Sequence, residues 1–188
     1  ISYGPRWAEV SSTPYKDFKD FPTEGGLLSP AFISYKGFQG QMINDSFASV
    51  MDIAPTILEI AGTRHPGNYY KGRAIHPIKG KSMLDMLTGE SHAIHAKDYV
   101  MGWELFNRRA IRSGSWKITW IEAPHGNNRW ALYDLSTDPL EQNDLADKNT
   151  SKLNEMIALW KIYIKENNVI IDEDLNLGYS GSNSHFSY

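Results

Sequence analysis

Leu153, Met156, Ile157, Trp160, Tyr163 and Ile164 recur at intervals of three and four, the strictest periodic pattern in the sequence. A stripe of that width calls for a helix laid along its length against another layer. Thr150 or Ser151 is placed to cap its start. The layer it needs precedes it. Residues 99–103, 109–112, 116–121 and 130–135 are short aromatic and β-branched runs separated by turn residues, which predicts four strands in an antiparallel meander. Ser113-Gly114-Ser115 predicts a hairpin loop, residues 124–128 a longer one, and Asp138-Pro139 a turn.

The first half of the chain is less regular. Residues 1–45 are rich in Gly, Pro, Ser and aromatics and read as loops around one or two strands. Phe47-Ala48-Ser49-Val50-Met51 reads as a strand, and Asp52 as the cap of a helix carrying Ile53, Ile57, Ile60 and Ala61 on one face. Pro55 falls in its first turn, and Gly62 ends it. A second short helix is expected over 82–87, where Ser82 and Asp85 have capping-box spacing and Gly89 closes. A basic loop punctuated by Gly and Pro, 64–81, lies between them. Strand followed by capped helix is the pattern of an α/β layer, so the fold class is α/β with a small four-stranded antiparallel sheet packed by one carboxy-terminal helix. The expected divisions are 1–95, 96–171 and a polar tail at 172–188, with a seam near 90–97.

Charge and composition remove several functions. With 19 Lys and Arg against 22 Asp and Glu, the net charge is −3, without the basic surplus that nucleic-acid binders use against phosphates. No apolar run approaches the roughly 18–20 residues that span a bilayer, so no membrane partner is expected. The chain has 0 Cys, which removes thiol nucleophiles and thiolate metal sites but leaves the compartment open. Ile1 is neither an initiator Met nor the start of a secretory signal, and the chain is expected to be the carboxy-terminal part of a longer polypeptide.

Candidate chemistry is sparse. His92 and His95 stand three apart without the carboxylates or further ligands of a metal site, and His65, His76, His125 and His185 are isolated. Asp134, Asp138, Glu141, Asp144 and Asp147 form an acidic run that fails the spacing of a calcium loop and reads as turns. The strand aromatics read as core; the competing reading is a non-catalytic carbohydrate- or protein-binding surface centred on Trp103, Trp120 and Trp130. Lys19 stands five residues ahead of Glu24-Gly25-Gly26, where paired glycines allow the backbone to approach another group closely. Taken alone, that spacing describes a surface lysine beside a tight turn.

Four blocks in order resemble the sulfatases of the alkaline-phosphatase-like superfamily, and look most like the bacterial arylsulfatases. Lys19 with Thr23-Glu24-Gly25-Gly26 is similar to the family's lysine and T-E-G-G segment. Residues 52–62 resemble its D-x-x-P-T helix ending in Ala-Gly, and Gly102-Trp103-Glu104-Leu105-Phe106 with 109–112 and Trp116-Lys117 its carboxy-terminal strands. Tyr133-Asp134-Leu135, Asp138-Pro139, Glu141 and Asp144-Leu145-Ala146 complete the series. The resemblance implies that 1–95 is the last part of a catalytic α/β domain and 96–171 its antiparallel-sheet subdomain. It further implies hydrolysis of a sulfuric ester, either a small molecule or a sulfated glycan, by a formylglycine beside a bound Ca²⁺. Both belong to the family's amino-terminal catalytic region, so this chain contributes one family active-site residue, Lys19, and by itself is expected to be inactive. A phosphonate or phosphate ester hydrolase of the same superfamily is the alternative. Leu28 stands where the family often has Arg.

Overall fold

The structure, a computed structural model, describes residues 4–36, 38 and 43–171, so the expected tail at 172–188 lies outside the described residues. The chain divides into two units, one formed by 1–30 with 98–188 and the other by 31–97.

In the first unit, helix α1 spans Gly4–Ser12 and a single turn of helix, α2, spans Glu24–Leu27. No strand occurs among the described residues of 4–36, which corrects the expectation of strands in this stretch. Pro5 suits the first turn of α1, and the hydroxyls of Ser11, Ser12 and Thr13 donate to the carbonyls of Trp7, Ala8 and Glu9, covering the exposed end.

The second unit opens on a 3-10 turn, Val50–Asp52, and helix α3, Ile53–Ile60. The expected strand at 47–51 does not form. Ser49 and Asp52 make a reciprocal capping box, with Ser49 N–H donating to Asp52 Oδ2 at 2.7 Å, and this tightens the chain into a helical turn. Asp52 also departs from its expected role, since its side chain does not cap α3. It is fully buried and accepts the Lys81 N–H at 2.8 Å on Oδ1, while Oδ2 lies 2.9 Å from His95 Nε2. Thr56, also buried, donates to the Asp52 carbonyl and accepts the Met83 N–H. Gly80 permits this meeting, because a Cβ there would collide with the Met51 carbonyl.

The basic loop contains a small hairpin that the sequence reading missed, β1 (Tyr69–Tyr70) against β2 (Arg73–Ala74). The second helix, α4, is shorter than expected at Leu84–Leu87, with Ser82 Oγ accepting the Leu84 N–H. Met83, Met86 and Ile94 form the buried apolar core of this unit, so the polar knot around Asp52 carries much of its organisation. Replacing Asp52 by alanine is expected to destabilise this unit by about 2–3 kcal/mol, because two backbone donors and His95 lose one charged acceptor. Faster hydrogen exchange at Ser49 and Lys81 than elsewhere in the chain is the check.

The first unit resumes as a meander of β3 (Val100–Leu105), β4 (Arg108–Ser113), β5 (Trp116–Trp120) and β6 (Trp130–Asp134), each antiparallel to the next. Helix α5, Thr150–Asn167, follows. Its cap is Asn149, whose side chain accepts the Lys152 N–H, and neither Thr150 nor Ser151 serves. Strand alternation gives the sheet two covered faces. Gly102, Ile111, Ile118 and Leu132 are aligned across the four strands, and Ile111, Ile118 and Leu132 pack with Met156 and Trp160 of α5. A Cβ on Gly102 would enter the Tyr163 ring, so that glycine lets the helix settle on the sheet. On the opposite face, which also carries Ala110 and Thr119, the side chains of Arg108, Lys117 and Tyr133 meet the segment 16–24.

Candidate functional site

Lys19 lies on an exposed turn between Asp17 and Asp20, both with positive φ, at 62° and 86°. The next four residues, Phe21, Pro22, Thr23 and Glu24, are all buried. The lysine therefore projects from a loop whose following residues are fixed. The fixing is specific. The Phe21 ring meets Phe18 and His125 edge-on, at 5.3 and 5.5 Å between centroids, and the Arg108 guanidinium lies 4.2 Å from its centre. Glu122 holds that guanidinium at 2.7 Å.

Glu24 enters an ionic cluster. Lys117 Nζ lies 2.6 Å from Glu24 Oε1 and 2.8 Å from Glu141 Oε1, while the Glu24 N–H donates to Glu141 Oε2 at 2.8 Å. Lys117 and Glu141 are completely excluded from solvent. Lys16 adds a second cation, donating to the Glu141 carbonyl at 2.6 Å and to the Tyr133 hydroxyl at 3.2 Å. Burial, reinforced by the carboxylates of Glu141 and Asp144, pushes the Tyr133 phenol well above its ordinary value, so it remains a neutral hydroxyl. Two ammonium groups thus stand with two carboxylates, Lys117 and Glu141 shut off from solvent and Lys16 at the half-buried edge, an arrangement stable only when every buried member is held by a partner.

Gly25 and Gly26 make this approach possible. A Cβ on Gly25 would collide with the Lys16 carbonyl, and one on Gly26 with the Phe21 carbonyl. Both obstacles are backbone, which yields far less readily than the end of a side chain. Gly25→Ala is expected to cost about 1–3 kcal/mol and to loosen the Lys19 turn; limited proteolysis between residues 16 and 28 reads it directly.

The sequence singles out Lys19 by resemblance but not the buried cluster that follows it. Glu141 belongs to the acidic run that reads as turns, and Asp138 and Asp144 do make turns: Asp138 accepts the N–H groups of Gln142 and Asn143, and Asp144 those of Leu132 and Ala146. Glu141 differs, being buried at a positive φ of 54°. Lys117 carried one legible signal: it shares a strand face with Thr119, opposite Ile118, so a lysine stands in mid-strand on a face that must be covered. Leu28 is exposed just beyond the turn. Of the aromatics considered as a binding surface, Trp130 packs against Trp160 at 5.9 Å and Trp120 carries the Arg109 guanidinium at 4.0 Å, while Trp103 is half-buried. His92 and His95 do not come together on a metal: His95 is bound to Asp52, and among the described residues no group of three or more His, Asp or Glu could hold an ion.

Comparison with known proteins gives this turn a context. Residues 18–166 match the family described as N-sulphoglucosamine sulphohydrolase, C-terminal. An uncharacterized sulfatase of Schizosaccharomyces pombe is 40% identical over 175 residues, covering 93% of this chain and 31% of the relative. An arylsulfatase of Klebsiella aerogenes is 35% identical over 85 residues, 44% of this chain and 18% of the relative. Among solved structures, a protein in complex with its substrate D-glucosamine-2-N,6-O-disulfate aligns with a TM-score of 0.48 at 22% identity, over 66% of this chain and 25% of that one. The chain thus spans less than a third of the length of these relatives. With the family match running from just ahead of Lys19 to the end of α5, the chain belongs to the sulfatase family, in the part described as the N-sulphoglucosamine sulphohydrolase carboxy-terminal region.

Proposed function

We propose that this chain is the carboxy-terminal part of a sulfuric ester hydrolase, in which Lys19 contacts the sulfuryl group of the substrate. One observation carries the reading: Lys19 is exposed on a turn whose next residues are locked by the Glu24–Lys117–Glu141 cluster. A preorganised ammonium attracts the sulfuryl oxygens and favours the negative charge that develops as the S–O bond breaks, without the reorganisation that water would require.

The family's usual cofactors, calcium and formylglycine, do not fit the described residues of this chain. No cluster of metal-binding side chains occurs among them, and the sequence has neither a Cys nor a Ser in the C/S-x-P-x-R segment from which the family's formylglycine is made. A longer polypeptide would supply them. The surface of the second unit supports such a partner: α3 buries only Thr56, leaving Ile53 and Ile57 exposed beside an exposed Val50. The substrate class is a sulfate ester, of a small molecule or a glycan.

The test is turnover of an aryl sulfate and the matching aryl phosphate by the full-length protein. Sulfate turnover that well exceeds phosphate turnover is expected, and preferential phosphate turnover would replace the reading with the phosphate-ester one. Residues 1–188 alone are expected to hydrolyse neither.

A further inference from the structure

The exposed loop between α3 and α4 concentrates charge of one sign. From Ile60 to Leu84 there is no Asp or Glu, yet five Lys or Arg residues fall within 64–81, in a chain whose overall charge is −3. All five are exposed. The hairpin orders part of this charge. Lys71 and Gly72 form its two-residue turn with positive φ values of 48° and 79°, and Tyr70 is directly opposite Arg73. Cross-strand partners share a face, so Tyr70 and Arg73 point to the same side. The Lys71 ammonium lies 5.3 Å from the centre of the Tyr70 ring. Tyr69 and Tyr70 are 66% and 52% exposed, and neither joins the apolar core of the unit.

Packing within this chain does not account for this surface. A two-stranded hairpin is marginal in water, like charges within it repel, and its two aromatic rings stay wet. A ligand that is both polyanionic and faced with C–H groups relieves all three. Sulfates on a polysaccharide are permanently charged acceptors for Arg and Lys, and the apolar face of a pyranose ring packs on an exposed tyrosine. We infer that the hairpin around Tyr70, Lys71 and Arg73 is a binding site for a sulfated polysaccharide. The choice of a sulfated ligand rests on the sulfatase reading; the site itself rests on the geometry and charge of the loop.

The experiment uses the full-length protein, a size-defined heparin dodecasaccharide as probe, and single-stranded DNA of equal charge as the competing polyanion. Heparin binding that weakens steeply with added salt is expected. The double variant Lys71→Gln, Arg73→Gln should weaken it about tenfold or more, and Tyr70→Ala about three- to tenfold. Melting temperature and turnover of a small aryl sulfate should stay unchanged in both. Wild-type heparin affinity in both variants overturns the site, and equal losses for heparin and DNA overturn its assignment to a sulfated glycan. Absence of aryl sulfate turnover in the wild type would remove the sulfatase reading, while the binding measurements still decide the hairpin.

Discussion

Replacing Lys117 by alanine in the full-length protein is expected to lower its stability by about 3–5 kcal/mol, the range for removing one member of a buried charged group. The magnitude follows from what remains. Glu24 and Glu141 would face each other across a dry gap, because Glu141 has no access to solvent and Glu24 almost none. A companion variant separates charge from shape. Glu24→Gln, Lys117→Met and Glu141→Gln together leave no net charge, and should recover most of the stability. Denaturant unfolding of the single and triple variants tests this. A single variant as stable as the wild type would show that the cluster does not hold the turn.

Lys19→Ala should leave that stability almost unchanged and act on turnover. Exposed and without a part in the buried cluster, Lys19 contributes little to folding. A fall in kcat of about hundredfold or more is expected for aryl sulfate hydrolysis, the usual loss when one preorganised charge stabiliser is removed. The loss belongs mainly in kcat, because the charge on the bridging oxygen grows only as the bond breaks, and KM should move less. Lys19→Arg restores the charge but spreads it over a planar group, so partial recovery is expected. Unchanged kcat in Lys19→Ala would remove this residue from the chemistry and leave the turn as architecture.

The sheet and its helix were legible because each has one face that must be dry. Ile111, Ile118 and Leu132 alternate with outward residues along their strands, and Met156 and Trp160 repeat at helical spacing. α1 had no such signature, since none of its residues is buried. At 47–51 the apolar letters suggested a strand, although Ser49 and Asp52 already carried the spacing of a capping box. Local hydrogen bonding decided there against apolar content. The candidate site divided in the same way. Lys19 stands out only through the resemblance of its segment to the family's, since its spacing to the glycine pair alone describes a surface lysine, whereas Glu24 and Lys117 are 93 positions apart, and no local pattern links two oppositely charged residues across that distance.

That separation orders events during synthesis. Every strand of the meander pairs with its immediate predecessor, so residues 100–134 assemble from near neighbours, quickly and on their own. Residues 16–24 leave the ribosome ahead of their partners at 117, 133 and 141, which emerge roughly a hundred residues later. At typical translation speeds that is a delay of about 5–20 seconds. The lysine-bearing turn is therefore made well before the strands that fasten it, and is among the last parts of this chain to be secured.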